Sequence, residues 1–137
     1  MRIAVVDGQG GGIGKHITEK LRRELSEATE ILALGTTALA TSIMMRAGAN
    51  EGASGENAVV FNATRVDVII GPVSIVLPNA MFGELTPRMA EAIASSPARK
   101  ILIPLIRGDI EIVGLRPEPL PHLIDELILR LKALQTS

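Results

Sequence analysis

Near the start of the chain lies the segment Ile3-Ala4-Val5-Val6-Asp7-Gly8-Gln9-Gly10-Gly11-Gly12-Ile13-Gly14-Lys15. Its apolar half predicts a strand, Arg2–Asp7, that is buried on both faces and therefore central in a parallel sheet. The five glycines that follow predict a tight turn, because glycine has no Cβ and readily adopts positive φ angles. A helix is predicted from Gly12 to about Ser26, where apolar residues recur every four positions.

A strand, a glycine turn and a helix in this order are typical of sites for an anion, usually a phosphate. The turn lets backbone N–H groups approach the ligand, and the positive end of the helix dipole points at it. The predicted binding residues of the turn are Gly8, Gln9, Gly10, Gly11, Gly12, Ile13 and Gly14. The alternative is a packed turn that binds nothing, although so many glycines are costly in folding entropy.

Charged residues flank the turn on both sides. Asp7 is expected to accept hydrogen bonds from glycine N–H groups, as aspartate does in turns, and Lys15 is expected to face either a bound phosphate or solvent. The spacing differs from the ATPase phosphate loop, because Gln9 replaces its first glycine and His16 replaces its Mg²⁺-binding hydroxyl residue. ATP hydrolysis is therefore not favoured, and no metal site is predicted.

Composition limits the classes of function. The 137 residues are 47% hydrophobic with a net charge of −1, and the only aromatic residues are two phenylalanines. A near-neutral chain without Trp or Tyr lacks both the basic surface and the stacking side chains of nucleic-acid binders. The absence of cysteine excludes disulfides and thiolate chemistry. No signal peptide or membrane span is apparent, so the expected location is cytoplasmic.

Strands and helices alternate along the rest of the chain. Buried strands are predicted at Glu30–Leu34, Val66–Ile70 and Lys100–Leu105, with a short hairpin strand at Ile110–Gly114 on the sheet edge. Helices are predicted at Ala38–Ala47, from Ser54 or Gly55 to Asn62, from Pro87 onward with Thr86 as its N-cap, and at His122–Gln135. The segment Gly48–Asn57 is predicted to be a loop that serves as a lid, a second ligand site or an exposed connection.

This alternation predicts an α/β fold in a single domain covering residues 1–137. The expected architecture is a Rossmann-like three-layer sandwich with a mainly parallel sheet of four to five strands and a short edge hairpin. In such folds ligands bind where the carboxyl ends of the strands meet. Thr36, Gly71 and Pro72 follow two of these strands and are further predicted binding residues.

The end of the second strand bears on the choice of cofactor. Dinucleotide-binding domains often carry an acidic residue there, which holds the ribose hydroxyls. This chain instead has Leu34-Gly35-Thr36-Thr37 at that place, which argues against ordinary NAD or NADP binding. The cofactor is therefore unknown, with NAD(P) or another nucleotide as the candidates. One of the two threonines is also expected to cap the next helix.

The predicted last helix is unusually apolar. Its stripe of leucine and isoleucine is widened by Leu120 and Leu129. A stripe of ordinary width would simply cover the core, whereas the extra width also suits a partner chain. A homodimer formed through this helix or through an exposed sheet edge is therefore an open alternative.

Three segments resemble a known family. Val6–Gly14, Ala47–Ala53 and Gly83–Pro87 are similar to a bacterial family described as domain of unknown function 3842. The resemblance implies a Rossmann-like domain and no particular activity. The spacing of Gly8, Gly12 and Gly14 also resembles the loop of short-chain dehydrogenases, but the chain lacks the tyrosine that their chemistry requires.

A further similarity covers the middle of the chain. Asp67–Pro72, Pro78-Asn79, Ala90–Ile93 and Ala98–Lys100 are similar to segments of phospholactate-transferase-like proteins, which bind nucleotide sugars. This resemblance adds nucleotide sugars to the candidate ligands.

Three functions follow from these observations. The first is binding of a nucleotide or other small phosphorylated ligand through the glycine turn. The second is an enzyme acting on a phosphorylated metabolite or nucleotide sugar, and the third is a non-catalytic oligomerisation or scaffold module. Residues for polar chemistry in the second case are Asp7, Asn50, Asn79, Glu84 and Arg107. Asp7 and Glu84 would then need to lie together at the turn to act as an acid–base pair.

Overall fold

The computed structural model describes residues 1–136 and contains one five-stranded, all-parallel sheet. Its strands are β1 Arg2–Asp7, β2 Glu30–Gly35, β3 Glu51–Ser54, β4 Val68–Pro72 and β5 Arg99–Ile103. Its helices are α1 Gly12–Glu24, α2 Ala38–Arg46, α3 Glu56–Asn62, α4 Pro87–Ser95 and α5 Leu120–Thr136, with a 3₁₀ turn at Val73–Val76. The strand order is β3-β2-β1-β4-β5. The predicted Rossmann-like α/β fold with a parallel sheet is confirmed.

The core lies on both faces of the sheet. In β1, Ile3 and Val5 point into one apolar layer with α1, α2 and α5, whereas Ala4 and Val6 point into the other with α3 and α4. All four side chains are almost fully buried. Because successive residues of a strand face opposite sides, a strand that is apolar throughout requires helices on both faces. This arrangement makes β1 the central strand and places the glycine turn at its carboxyl end, in the middle of the sheet.

Two predicted caps set the starts of α2 and α4. The Thr37 hydroxyl accepts a hydrogen bond from the amide of Ala40 at 3.1 Å, and the Thr86 hydroxyl accepts one from the amide of Met89 at 3.2 Å. Pro87 follows Thr86 at the first helical position, where its missing N–H is not needed. These caps fix the direction in which each helix leaves the carboxyl-terminal end of the sheet.

The predicted edge hairpin is wrong. Ile110–Gly114 is rich in β-branched residues, which favour strands, but it lies in the irregular segment 104–119. The strand at that edge is β5, which pairs in parallel with β4 alone. The residue types suit a strand, but a strand also needs a hydrogen-bonding neighbour, and here the amide of Leu115 donates to the carbonyl of Ile112 in a local turn at 3.3 Å.

The segment Gly48–Asn57, predicted to be a loop, contains the fifth strand instead. β3 pairs in parallel with β2 and forms the opposite edge of the sheet. Only Ala53 of this strand is even half-buried, so it carries no apolar pattern that sequence reasoning could detect. The expectation of a lid or second ligand site in this segment is therefore not supported by its conformation.

Where the predicted ends of other elements differ from the structure, they differ by one or two residues. α1 ends at Glu24 because Leu25 is already extended, with φ −110° and ψ 156°. α5 begins at Leu120, and its buried residues include Leu127 and Leu131, whereas Leu129 is 68% exposed. Within residues 1–136, no helix is long and apolar enough to cross a membrane. The homodimer stays a prediction.

Candidate functional site

A cleft of about 610 Å³ opens at the carboxyl ends of β1, β4 and β5. In the strand order β3-β2-β1-β4-β5, the sheet grows from β1 toward β2 and β3 on one side and toward β4 and β5 on the other. The order therefore reverses between β1 and β4, and the loops that follow these two strands diverge. Ligands of open α/β sheets bind at this position. Asp7, Gln9 and Ile13 line one wall of the cleft, and Pro72 and Arg107 line another.

The glycine turn (residues 8–14) passes from β1 into α1 through two left-handed residues. Gln9 has φ 51° and Gly11 has φ 72°, and the amide of Gly11 donates to the carbonyl of Gly8 at 2.9 Å. A Cβ on Gly11 would also lie 2.9 Å from the Cα of Ala40. Gly11 is therefore required both by its backbone conformation and by the close approach of α2.

The carboxylate of Asp7 lies beneath the turn. It accepts hydrogen bonds from the amides of Gly8 at 2.8 Å and Gly14 at 2.7 Å, and the side chain is only 4% exposed. The expectation that Asp7 accepts glycine N–H bonds is confirmed. Gly14 is the third residue of α1, so the carboxylate neutralises part of the positive helix end from inside the protein.

Burial raises the pKa of Asp7 above its ordinary value, and the nearby negative charge of Glu84 acts in the same direction. Hydrogen bonds from the amides of Gly14, Gly8 and Ile13 lower the pKa and offset part of this rise. The net result is a pKa above that of a free aspartate, because the cost of removing the carboxylate from water outweighs the gain from the amides. Asp7 thus combines a buried position, an altered proton affinity and access to the cleft.

A second carboxylate contacts the turn at Gln9. Glu84 Oε1 accepts hydrogen bonds from the amide of Gln9 and from the hydroxyl of Thr36, each at 2.7 Å. Thr36 follows β2, so Glu84 places a carboxylate at the strand end where the sequence shows none. Within residues 1–136, no group of three or more His, Asp or Glu side chains is arranged to hold a metal ion.

Two amides of the turn remain available to a ligand. Among residues 1–136, the N–H groups of Gly10 and Gly12 donate no hydrogen bond, and both residues are exposed. A Cβ built on either glycine meets no atom within 4 Å, so open space surrounds them. Gly12 is the first residue of the 13-residue helix α1, where unpaired N–H groups and the helix dipole favour negative charge.

The predicted binding residues fall into two groups. Gln9, Ile13 and Pro72 line the cleft, whereas Gly10 and Gly12 are exposed and are not among its lining residues. The other predicted residues are occupied by contacts within the protein: Gly8, Gly11, Gly14, Thr36 and Gly71. A Cβ on Gly8 would lie 2.5 Å from both Met81 Sδ and Thr36 Oγ1, and one on Gly71 would collide with the Val6 carbonyl oxygen.

Sequence reasoning missed the loop that covers the turn. Ala80, Met81 and Phe82 line the cleft beside Asn79, although only Asn79 was a candidate. The only sequence signals of this turn were Asn79 and Gly83, which tolerate left-handed conformations. Asn50, another candidate, lies elsewhere: its Oδ1 accepts hydrogen bonds from Arg22 and from the amide of Ile31.

Comparisons with known proteins identify the family of this chain. No curated protein sequence matches the chain. Among solved structures, the chain is similar to a dodecameric FMN-dependent UbiX-like decarboxylase from Escherichia coli O157:H7, with 17% identity and a TM-score of 0.48. That match covers 98% of this chain and 77% of the other. The family model described as Domain of unknown function (DUF3842) matches residues 2–136, and the chain therefore belongs to this family.

Proposed function

We propose that the protein binds a small phosphorylated ligand, of the nucleotide class, in the cleft beside the glycine turn. The observation that carries the proposal is the pair of open amides at Gly10 and Gly12, which lie just before and at the start of α1. Each glycine is next in sequence to a residue that lines the cleft, Gln9 or Ile13. A helix start with unpaired N–H groups binds phosphate oxygens well, and a strand edge of this kind is where α/β folds hold ligands.

The two internal carboxylates determine where the phosphate would sit. Asp7 and Glu84 occupy the amides of Gly8, Gln9 and Gly14, and a phosphate close to them would be repelled. The proposed phosphate position is therefore at the amides of Gly10 and Gly12, to which neither carboxylate is hydrogen-bonded. Arg107 lines the cleft from another loop and supplies a positive charge for a second phosphate or another anionic group.

Substitutions at Gly12 test this position. Gly12→Asp adds a negative charge where the phosphate is expected, and Gly12→Asn adds a side chain of nearly the same shape without charge. Neither side chain meets an obstacle at its Cβ, and Gly12 has no positive φ, so both variants should fold. An aspartate in the first helical turn also suits the helix dipole.

We expect the wild type and Gly12→Asn to bind AMP with similar affinity in isothermal titration calorimetry. Gly12→Asp should bind at least about tenfold more weakly, because repulsion between unit charges a few ångströms apart costs roughly 1–4 kcal/mol near a protein surface. The ligand panel also includes NAD, UDP-glucose and FMN. If no ligand binds to the wild type at millimolar concentration, or if the two variants bind equally, the proposal fails.

Catalysis on the same ligand is the second candidate function, favoured by the position of Asp7. Its carboxylate is buried, lines the cleft, has a raised pKa and lies near Glu84. A carboxyl group of this kind can donate or accept a proton at a bound substrate. Turnover of a phosphorylated metabolite or nucleotide sugar that is lost in Asp7→Asn, while the ligand still binds, would support this function.

A further inference from the structure

The cleft loop (Asn79–Glu84) has an unusual backbone. Asn79, Met81 and Phe82 have φ values of 66°, 59° and 56°, and Gly83 has φ 90°. Left-handed conformations are unfavourable for residues with a Cβ, most of all for large ones such as methionine and phenylalanine. Such strain persists only where the surrounding structure enforces it, and it is concentrated at functional sites.

Hydrogen bonds hold the cleft loop in this shape. The amide of Asn79 donates to the carbonyl of Leu85 at 2.8 Å, and the amide of Gly83 donates to the carbonyl of Asn79 at 3.1 Å. Glu84 ties the end of the loop to the glycine turn through the amide of Gln9. The loop is therefore fixed in position relative to the proposed phosphate site.

The strained loop carries an aromatic ring into the open. Phe82 lines the cleft, yet the residue is 96% exposed, although a phenylalanine gains most when it is buried. The other aromatic residue, Phe61, is 53% exposed, and the guanidinium of Arg65 lies 3.9 Å from its ring centroid. Within the part of the chain that the structure describes, no cation covers the ring of Phe82 in this way.

We propose that Phe82 is a stacking face for a planar aromatic ring in the bound ligand. This inference rests on the proposed function and narrows it: the ligand carries a phosphate near Gly10 and Gly12 and a nucleobase or similar ring over Phe82. A sugar phosphate without such a ring would leave this face unused. Glu84 links the two parts of the site, because it anchors the loop that carries Phe82 to the turn that holds the phosphate.

The sequence allows a direct optical test. The chain contains no Trp or Tyr, so Phe82→Trp introduces a single indole whose fluorescence reports on the proposed stacking face. Titration of this variant with AMP should quench the emission, because the base stacks on the indole. The matched control is Phe61→Trp, which places the same indole at the other exposed phenylalanine, and its emission should not respond.

Calorimetry with Phe82→Ala separates the ring site from the phosphate site. We expect AMP to bind this variant about tenfold more weakly, which is the effect of losing one base–aromatic stacking contact. Ribose 5-phosphate, which has no base, should bind the variant and the wild type equally. Phe61→Ala should leave both affinities unchanged.

Three outcomes would overturn the inference in distinguishable ways. If AMP and ribose 5-phosphate bind wild type and Phe82→Ala alike and the indole emission stays constant, the stacking face is refuted and the proposed function stands. If Phe82→Ala instead changes the oligomeric mass with no change in ligand affinity, the ring belongs to a protein contact. If neither ligand binds any variant, the proposed function fails and the inference fails with it.

Discussion

The contact between Glu84 and the glycine turn should contribute measurably to stability, and Glu84→Ala tests this. The substitution removes the acceptor of two hydrogen bonds, one from the amide of Gln9 and one from the hydroxyl of Thr36, each 2.7 Å long. Both donors are partly buried and would be left with water as their only alternative partner.

The magnitude follows from the geometry. A hydrogen bond to a charged group contributes about 1.5–3 kcal/mol, and partial exposure places these two at or below the lower end of that range. The loss of Glu84 also relieves its repulsion of Asp7, which acts in the opposite direction. We therefore expect Glu84→Ala to lower the free energy of unfolding by about 2 kcal/mol, which corresponds to about 6–8 °C in Tm.

Urea denaturation followed by circular dichroism measures this change. Glu91→Ala is the matched control, because Glu91 is an exposed glutamate on α4, and its loss should change stability by less than about 0.5 kcal/mol. A double-mutant cycle with Thr36→Val should give a coupling energy of about 1 kcal/mol for the pair. Equal stabilities of Glu84→Ala and Glu91→Ala, or a coupling energy near zero, would refute the reasoning.

Three more predictions concern the turn and α5. Gly14→Ala should lower the free energy of unfolding by about 1–3 kcal/mol, because the added Cβ would lie 2.9 Å from Asp7 Cβ. The control Gly10→Ala adds a Cβ that meets no atom within 4 Å, so it should change the free energy of unfolding little. Urea denaturation compares the two variants. Burial raises the pKa of Asp7, so the folded state binds more protons than the unfolded state between about pH 3.8 and the raised pKa. This residue therefore makes wild-type stability fall as pH rises from about 3.8 through the folded-state pKa. Asp7→Asn should lack this part of the slope, and equal slopes in denaturation series at several pH values would contradict the assignment. Leu127 is 3% exposed, so Leu127→Ala should cost about 2–5 kcal/mol of stability. Leu129 is 68% exposed, so Leu129→Ala should cost less than about 0.5 kcal/mol. Similar Tm values for the two variants would argue against the packing of α5.

The fold was predictable because its central elements carry strong local signals. β1 is apolar on both faces, the glycine turn is dense, and Thr37 and Thr86 are standard helix caps. Each of these signals reports a physical requirement that the local sequence alone must meet. β3 carried no such signal, because an edge strand with exposed side chains needs only backbone partners.

The site was only partly predictable, because its central contacts join distant parts of the chain. Gln9 and Glu84 are separated by 75 residues, and nothing in either segment indicates that they meet. The sequence showed that the turn is rich in glycine, but it could not show that Asp7 and Glu84 would accept hydrogen bonds from several of its amides. Phe82 looked like an ordinary apolar residue, since its exposure depends on the shape of the whole loop.

Nuclear magnetic resonance of ¹⁵N-labelled protein tests the central claim most directly, because it reports on every backbone amide of the turn during titration with AMP. The account predicts that the largest shifts occur at the amides of Gly10 and Gly12, accompanied by changes in the cleft loop around Phe82. Absence of shifts at saturating AMP, or shifts confined to α5 and the 104–119 segment, would contradict it.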